Sequence, residues 1–355
     1  MITKRLGLLL LGGLFLSGCS QEEPAQSFAG LGSQVEGFAQ VRADTRLAFP
    51  QDFGQHPDYR IEWWYITANL TDSEGEVIGL QWTLFRQAIA PAPERRGWTN
   101  QHLWLGHAGI TRSDQHYAAE TYARGGIGQA GVDTSALKAW IDDWQLHSTS
   151  GDLSQFTLSA KGENFSYTLA LSTEADPVLQ GDQGFSLKSQ AGQASHYFSQ
   201  PFYQAEGLVQ IDDQTHAVSG QAWMDREWSS QPLAADQQGW DWFSMHLDSG
   251  DKLMLFRLRH ADGEHYYSGT WISAAGTPQP LKPEQIRMTP RKSHAVAGRH
   301  LPIQWQLEIP HLGIELETQA INPNAWMDTG IPYWEGPIRI GGSHSGVGYL
   351  EMTGY

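Results

Sequence analysis

The chain has 355 residues, which is long enough for two domains or for one large β domain. Only 17% of the residues are charged, against roughly 25% in ordinary soluble domains, and the 15 tryptophans are a heavy aromatic load. The formal net charge is −16, and no basic cluster interrupts the acidic balance. Nucleic acid partners are therefore excluded, because a phosphate backbone is bound with Lys and Arg.

The N-terminus has the pattern of an export signal. Lys4 and Arg5 precede a short apolar run, LGLLLLGGLFL, and then LSGC. Such a run behind a positive start is typical of a secretory signal and is too short to span a membrane. LSGC resembles the lipobox of bacterial lipoproteins, in which Cys19 is lipidated, and Ser20 resembles the outer-membrane sorting pattern. We therefore expect a lipoprotein signal peptide over residues 1–19 and a lipid-anchored protein at the outer membrane, facing the periplasm. A plain signal peptide that contains a cysteine is the alternative.

The segment after Cys19 has the composition of a tether. Cys19 is the only cysteine, so no internal disulfide can form, although the destination is oxidising. Residues 20–44 are polar, small and without a period, and we expect a flexible tether there. No other apolar stretch approaches the ~20 residues that a membrane-spanning helix needs.

From about residue 45 the sequence has the pattern of β-hairpins. Period-2 segments rich in aromatic and branched residues flank turn clusters, as WWYITANL and IGLQWTLF flank TDSEGE, and WFSMHL and KLMLFRLR flank DSGD. Many short antiparallel strands at this spacing indicate barrels or sandwiches. Helical periodicity is plausible only over residues 132–144.

A weak internal repeat indicates two such units. Residues 64–86 and 242–257 both begin with Trp and a second aromatic, turn on Asp-Ser and Gly, and end in a similar Leu-Phe-Arg pattern. Chance similarity is the alternative, because the two lengths differ. The segment SSQPLAADQQG places a boundary near residue 232, so we expect one unit over residues 45–232 and a second over 233–355.

Several common motifs are excluded. GIGQAG matches a dinucleotide-binding pattern, but no apolar strand precedes it and no βαβ unit surrounds it. His102 and His107 are five residues apart, which places them on opposite faces of a strand. Without cysteine pairs or an H-E-x-x-H helix we predict no metal site. A G-x-S-x-G nucleophile elbow is also absent.

One carboxylate lies among aromatic residues in EWWYITA. Alternation places Glu62 and Trp64 on one face of this strand and Tyr65 on the other. A carboxylate on an aromatic face must pair with a cation such as Arg86 or Arg226, or else its pKa rises. A structural ion pair and a place in a ligand pocket are both open for Glu62.

A second group of residues combines an acid with a histidine. In GQAWMDREW, Trp223 and Asp225 share a face and Trp228 lies on the other, while His196 and Phe198 share a face of ASHYFSQPF. Acid and base types together are what proton-transfer chemistry requires. Asp225 and His196 are therefore the candidate catalytic pair, with structural roles as the alternative.

Eight segments in consistent order carry a family resemblance over roughly residues 45–355. They are HPDYRIEWWYITANL, GLQWTLFR, HLWLGHAGIT, SHYFSQPFY, GQAWMDREWSS, GWDWFSMHLDSGDKLMLFR, YWEGPIRI and GVGYLEMTGY. Together they resemble the AttH-like, hydroxyneurosporene synthase (carotenoid 1,2-hydratase, CrtC) family. The resemblance implies an all-β fold of two consecutive lipocalin-like antiparallel β-barrels, placed after the signal peptide and the tether. It also implies a cavity for an apolar molecule.

The resemblance also implies a chemistry. The hydratases add water to an isolated carbon–carbon double bond without a cofactor, which needs an acid, a dry pocket and aromatic faces that shelter a carbocation. The essential Asp of the hydratases falls on Asp225, and their essential His falls on His196. Their aromatic partners, a Tyr and a Trp, fall on Trp223 and Phe198, so both aromatics differ here and a Tyr hydroxyl is missing.

Three functions remain open on the sequence alone. The first is an envelope lipoprotein that binds a lipid or isoprenoid-like molecule, since a barrel of about eight strands can enclose one small apolar ligand. The second is a cofactor-independent carbon–oxygen lyase (hydratase) or isomerase, with Asp225 as acid and His196 as base. The third is an accessory protein of an envelope export system. No cofactor is expected under any of them, and ligand contacts are expected from Glu62, Trp64, Tyr65, Phe198, Trp223 and Trp228. We expect Tyr333, Glu335, Tyr349 and Glu351 in closing strands of the second barrel, with pocket lining as the alternative.

Overall fold

The computed structural model describes residue 29 and residues 31–32 and 35–355. The predicted signal peptide, the lipidation residue Cys19 and most of the N-terminal half of the tether lie outside the described residues. The expected all-β class is confirmed, because strands make up 58% of the structure and the described residues contain no α-helix. They do contain short 3-10 turns at Gln51–Phe53, Gly97–Thr99, Pro283–Gln285 and Pro310–Leu312.

The first sheet is antiparallel and nearly closes into a barrel. Its strands are β1 Ile61–Asp72, β2 Val77–Ala88, β3 His102–Thr111, β4 His116–Arg124, β5 Ala130–Asp133, β6 Lys138–Ile141, β7 Trp144–Ser148, β8 Gln155–Lys161, β9 Phe165–Ser172, β10 Val178–Leu179, β11 Phe185–Leu187, β12 Ala194–Ile211 and β13 Gln214–Ser229. The main path is β4-β3-β2-β1-β13-β12-β9-β8-β7-β6-β5, and β10 and β11 pair with β12. Thr121 on β4 donates a 2.7 Å hydrogen bond to Asp142 after β6, which ties the two ends of the sheet together.

The second sheet is built from the C-terminal third of the chain. Its strands are β14 Gln237–Leu247, β15 Lys252–His260, β16 Tyr266–Ile272, β17 Pro278–Leu281, β18 Arg287–Val296, β19 Arg299–Ile309, β20 Ile314–Ala320, β21 Trp326–Met327, β22 Tyr333–Gly342 and β23 Gly346–Met352. They are ordered β17-β16-β15-β14-β23-β22-β20-β19-β18, with β21 beside β22. The chain passes from the first sheet to the second between Ser229 and Gln237.

The two halves of the weak repeat form equivalent hairpins. Residues 64–86 lie in the β1–β2 hairpin, and residues 242–257 lie in the β14–β15 hairpin, which is the first hairpin of its sheet. Gly75 and Gly250 in the two turns have φ of +85° and +92°, a backbone conformation that favours glycine. Asp72 also accepts hydrogen bonds from two backbone N–H groups of the first turn. Turn chemistry and strand alternation thus specify both hairpins locally.

The helix considered over residues 132–144 is wrong. This segment contains the end of β5, all of β6, the turns on either side of β6 and the first residue of β7. Leu137 and Asp142, with φ of 45° and 51°, form these turns. Apolar residues at 137, 140, 141 and 144 imitate a helical spacing, but Ala139 and Ile141 are the side chains of β6 that are buried. Strand pairing has overridden a pattern too short to be decisive.

Strand β1 is buried on both faces, which explains its aromatic density. One face, with Trp64, packs inside the first barrel together with Trp82 and Trp228. The other face, with Tyr65, packs against the second sheet together with Trp242. The aromatic side chains therefore fill the first barrel on one side and line the contact between the two sheets on the other.

Candidate functional site

A cavity lies between the two sheets. Its volume is about 100 Å³, below the roughly 300–1,000 Å³ of typical small-molecule sites. Its lining is mainly apolar and aromatic, with acidic groups set into it. The lining residues are Leu31, Ile61, Trp63, Tyr65, Thr83, Phe85, Lys188, Tyr197, Asp225, Glu227, Pro232, Leu233, Trp240, Trp242, Phe256, Leu258, Tyr333 and Glu351.

Asp225 projects from β13 into this cavity. Its Oδ2 accepts a hydrogen bond from the Tyr197 hydroxyl at 2.6 Å. Its Oδ1 accepts one from the Ser199 hydroxyl at 2.5 Å and one from the Trp223 indole N–H at 2.6 Å. Trp242 from the second sheet donates to the Tyr197 hydroxyl at 3.3 Å. Both sheets thus fix the position of this carboxyl group.

Burial changes the acidity of Asp225. The loss of solvent raises the pKa of its carboxyl to about 7, and the Ser199, Tyr197 and Trp223 donors oppose this shift because they favour the charged form. Both protonation states are therefore populated near neutral pH. A carboxyl with these properties can give a proton to a bound molecule and take one back.

The second sheet contributes a pair of neighbouring carboxyl groups, of which Glu335 is buried and Glu351 is partly exposed. Glu351 on β23 lies opposite Glu335 on β22 in the strand register. Glu351 lines the cavity and accepts a 3.1 Å hydrogen bond from the Trp240 indole, and Glu335 accepts one from the Tyr65 hydroxyl. Burial raises the pKa of Glu351 to about 8, and burial with the neighbouring Glu351 raises the pKa of Glu335 well above its ordinary value. The pair therefore holds protons at neutral pH.

Lys188 and Glu227 form an ion pair at the cavity wall. The Lys188 ammonium lies 2.8 Å from the Glu227 carboxylate and 4.4 Å from the centre of the Phe256 ring. The Ser195 hydroxyl also donates to Glu227. Because the lysine is neutralised within the wall, it leaves no unpaired cation in the cavity.

His196 does not meet Asp225. Along the β12–β13 register His196 pairs with Trp228, whereas Asp225 pairs with Ser199 three positions away. An odd offset along a strand places the two side chains on opposite faces. His196 packs against Tyr59 and Trp228, and burial with the neighbouring His56 lowers the pKa of its imidazole to about 4. The expected acid–base pair of Asp225 and His196 is therefore not formed.

Glu62 belongs to an ion cluster inside the first barrel and not to the cavity. Its carboxylate accepts hydrogen bonds from Arg86 and Arg226, and all three side chains are fully buried. Burial alone would raise the pKa of Glu62, but the two guanidinium groups and His56 hold it well below its ordinary value. The Arg226 guanidinium also lies 3.8 Å from the centre of the Trp64 ring. Glu62 has the structural role that was the alternative to ligand contact.

Three other expected ligand contacts also lie on the barrel side. Trp64, Phe198 and Trp228 are among the buried core residues of the first barrel. They share a face with Glu62 and Arg226, because each pairs with a residue of that face in the strand register. These aromatics fill the barrel, and they are not part of the lining of the cavity between the sheets.

The residues that the structure does bring together are Asp225, Tyr65 and Trp223. Sequence reasoning missed Tyr197 and Ser199, although both lie in the quoted segment ASHYFSQPF, on the face opposite His196. Strand alternation could have found them once the β12–β13 register was known. The second sheet adds three aromatic residues to the cavity lining, Trp240, Trp242 and Phe256. No sequence pattern indicated that they lie near Asp225.

The described residues show no feature of two other kinds of site. Among them, no three or more His, Cys, Asp or Glu side chains are grouped so that they could hold a metal ion. In the same part of the chain, no helix has the length and apolar character needed to cross a bilayer.

The fold and the site define an all-β protein of the lipocalin-like type, with an acid-containing cavity between two packed sheets. Residues 40–355 match the AttH-like family, and the chain belongs to this family. The family resemblance seen in the sequence is thereby confirmed.

Two solved structures are similar to the chain. A crystal structure assigned to AttH from Nitrosomonas europaea has 31% identity and a TM-score of 0.81, and the match covers 90% of this chain and 100% of that chain. Kievitone hydratase from Nectria haematococca has 16% identity and a TM-score of 0.68, with 93% and 98% covered, and it shares the fold. No curated protein matches the chain.

Proposed function

We propose that the protein is a cofactor-independent enzyme of the hydratase–lyase class, which adds water to a carbon–carbon double bond of an apolar small molecule. The observation that carries this proposal is Asp225, a buried carboxyl with a pKa of about 7 at the wall of an apolar, aromatic cavity. Membership of the AttH-like family supports the proposal, and so does the hydratase with the same fold, at the level of reaction class.

The geometry supports a two-step addition. Protonated Asp225 gives its proton to one carbon of the double bond, whose π electrons form the new C–H bond and leave a carbocation at the other carbon. The aromatic faces of Trp240, Trp242 and Phe85 stabilise this cation by cation–π attraction, about 2 kcal/mol or more where water is excluded. Water then forms the C–O bond, and its surplus proton passes to a carboxylate of the cavity wall. One water molecule is added to the substrate, and the total number of protons bound to the cavity wall does not change.

Isotope incorporation tests this function. The chain without residues 1–19 is purified, and compounds bound to it are identified by native mass spectrometry and solvent extraction. These compounds, and geranylgeraniol as a defined apolar probe with isolated double bonds, are then incubated with the protein in heavy-oxygen water. We expect one heavy oxygen per product molecule.

A different result would point to the binding function. If extracted compounds and geranylgeraniol bind but are recovered without label, the protein is a carrier and the enzyme proposal fails. The cavity lined by aromatic side chains favours this second function, because such walls bind apolar molecules without any reaction. Boiled protein is the control for uncatalysed hydration.

We also propose that the protein is anchored to the outer membrane through a lipid on Cys19. The apolar run and LSGC at the N-terminus support this. We expect the full-length protein to incorporate labelled palmitate and to sediment with outer membranes, and the Cys19→Ala variant to do neither. The matched control is Ser20→Ala, which changes the next residue and keeps the cysteine, so it is expected to incorporate the label. If the wild-type protein does not incorporate labelled palmitate, the proposed lipid anchor is wrong.

A further inference from the structure

Glu335 is the buried member of the carboxyl pair of the second sheet, whereas Glu351 is partly exposed and lines the cavity. Glu335 is 1% exposed, and one of its oxygens, Oε2, has no hydrogen-bond partner among the described residues. Its other oxygen accepts a hydrogen bond from Tyr65, and its carboxyl also interacts with the Tyr333 hydroxyl. A buried acid that takes part in turnover needs a route by which protons reach the solvent.

Tyr333 precedes Glu335 by two residues on β22 and so lies on the same face, and hydrogen bonds lead from the Tyr333 hydroxyl to the protein surface. The Tyr333 hydroxyl, which lines the cavity, lies 3.0 Å from Nδ1 of His107 on β3. Nε2 of His107 lies 3.1 Å from Oε1 of Glu120 on β4, the residue paired with it in the strand register. His107 is 1% exposed, whereas 20% of the Glu120 side chain is exposed. Tyr333, His107 and Glu120 therefore form a row of hydrogen-bonded side chains that begins at the cavity and ends at the solvent.

The chemistry of Glu120 and His107 determines which group donates in each hydrogen bond. Ionised Glu120 has only acceptors, so Nε2 of His107 carries the hydrogen and Nδ1 accepts from the Tyr333 hydroxyl. The Tyr333 oxygen can then accept from protonated Glu335. In this arrangement each group in the row has a donor on one side and an acceptor on the other.

We propose that Tyr333, His107 and Glu120 form a proton relay that connects the carboxyl pair Glu335–Glu351 with the solvent. The relay rests on the proposed function, in which attacking water loses a proton to the wall of the cavity. A protonated carboxyl of the pair takes that proton on its carbonyl oxygen while Glu335 releases its own hydroxyl proton, so the pair keeps the same number of protons. One proton then passes from Glu335 to Tyr333, one from Tyr333 to Nδ1 of His107, and one from Nε2 of His107 to Glu120, which releases it to water.

The relay completes the proton balance of the cycle. Asp225 gives up one proton to the substrate on the first sheet, and the carboxyl pair takes one from water on the second sheet. After product leaves, Asp225 regains a proton from water that enters the cavity, while the relay returns the pair to its starting state. Imidazole suits this role because it accepts a proton at one nitrogen while it releases one at the other.

A measurement without substrate tests the relay. The protein is mixed rapidly into heavy water, and the loss of protons from the buried Glu335 carboxyl is followed by its infrared band, which is assigned through Glu335→Gln and separated from the Glu351 band through Glu351→Gln. We expect the His107→Gln and Tyr333→Phe variants to exchange these protons roughly tenfold more slowly or worse, because both keep the packing but break the row. The control is Tyr122→Phe, which removes a 2.8 Å hydrogen bond to the same Glu120 oxygen outside the row. It is expected to exchange like the wild type.

The outcomes separate the relay from the proposed function. If His107→Gln and Tyr333→Phe exchange at the wild-type rate, the relay is wrong, whatever the result with heavy-oxygen water. If they exchange slowly and no hydration is found, the proton route stands and the proposed function fails. Should His107→Gln not fold, as judged by circular dichroism, Glu120→Gln at the surface replaces it, and wild-type exchange in that variant would overturn the relay equally.

Discussion

We expect the Asp225→Asn variant to bind geranylgeraniol like the wild-type protein but to hydrate it about 10²–10⁴-fold more slowly, since this is the usual contribution of a positioned general acid. Asparagine keeps the shape of the side chain and can still accept hydrogen bonds from Ser199 and Trp223, but it has no acidic proton. Product formation in heavy-oxygen water and ligand binding by fluorescence quenching of the tryptophans measure the two effects separately.

The pH profile sharpens this prediction. The active form of Asp225 is the protonated one, so turnover is highest below its pKa of about 7 and falls as the pH rises through that value. The Ser199→Ala variant provides a control that keeps the acid. Removal of a donor that favours the charged form raises the pKa, so the falling limb of this variant moves to higher pH. Full turnover by Asp225→Asn, with the wild-type profile, would remove Asp225 from the mechanism.

Much of the fold could be predicted because it is specified locally. The hairpin turns around Gly75 and Gly250, and the alternation in β1 and β13, predict which side chains share a face of each strand. The faces of Glu62 and Tyr65 are as the alternation predicts. Which of these faces points into a barrel and which toward another sheet is not a local property, because it depends on how the two sheets pack.

The site could be predicted only in part for the same reason. Asp225 follows from its unusual place among aromatic residues and from the family resemblance. Its separation from His196 follows from the register between β12 and β13, which no pattern within either strand determines. Glu351 approaches the cavity through contacts between residues more than a hundred positions apart, so its place beside Asp225 needed the structure.

The largest effect on stability is expected from Glu62→Gln. This change leaves the guanidinium groups of Arg86 and Arg226 buried without a counter-charge, and breaking a buried ion cluster in this way costs about 3–5 kcal/mol. Guanidinium chloride unfolding of the chain without residues 1–19 measures the loss. The control is Asp44→Asn, which breaks the exposed ion pair with Arg42 and is expected to leave the unfolding midpoint unchanged.

The pH dependence of this loss identifies the charge as its cause. The pKa of Glu62 in the folded protein lies well below its ordinary value of 4.5. Its carboxylate therefore contributes fully to stability above pH 4.5. This contribution is lost as the pH falls from 4.5 through the pKa of the folded state. The difference in unfolding free energy between wild type and Glu62→Gln should therefore be full at pH 7 and shrink at acid pH. If this free-energy difference stays constant with pH, the substituted amide disturbs packing and not the ion cluster. If the difference shrinks at acid pH as predicted, charge neutralisation inside the first barrel stabilises this half of the protein.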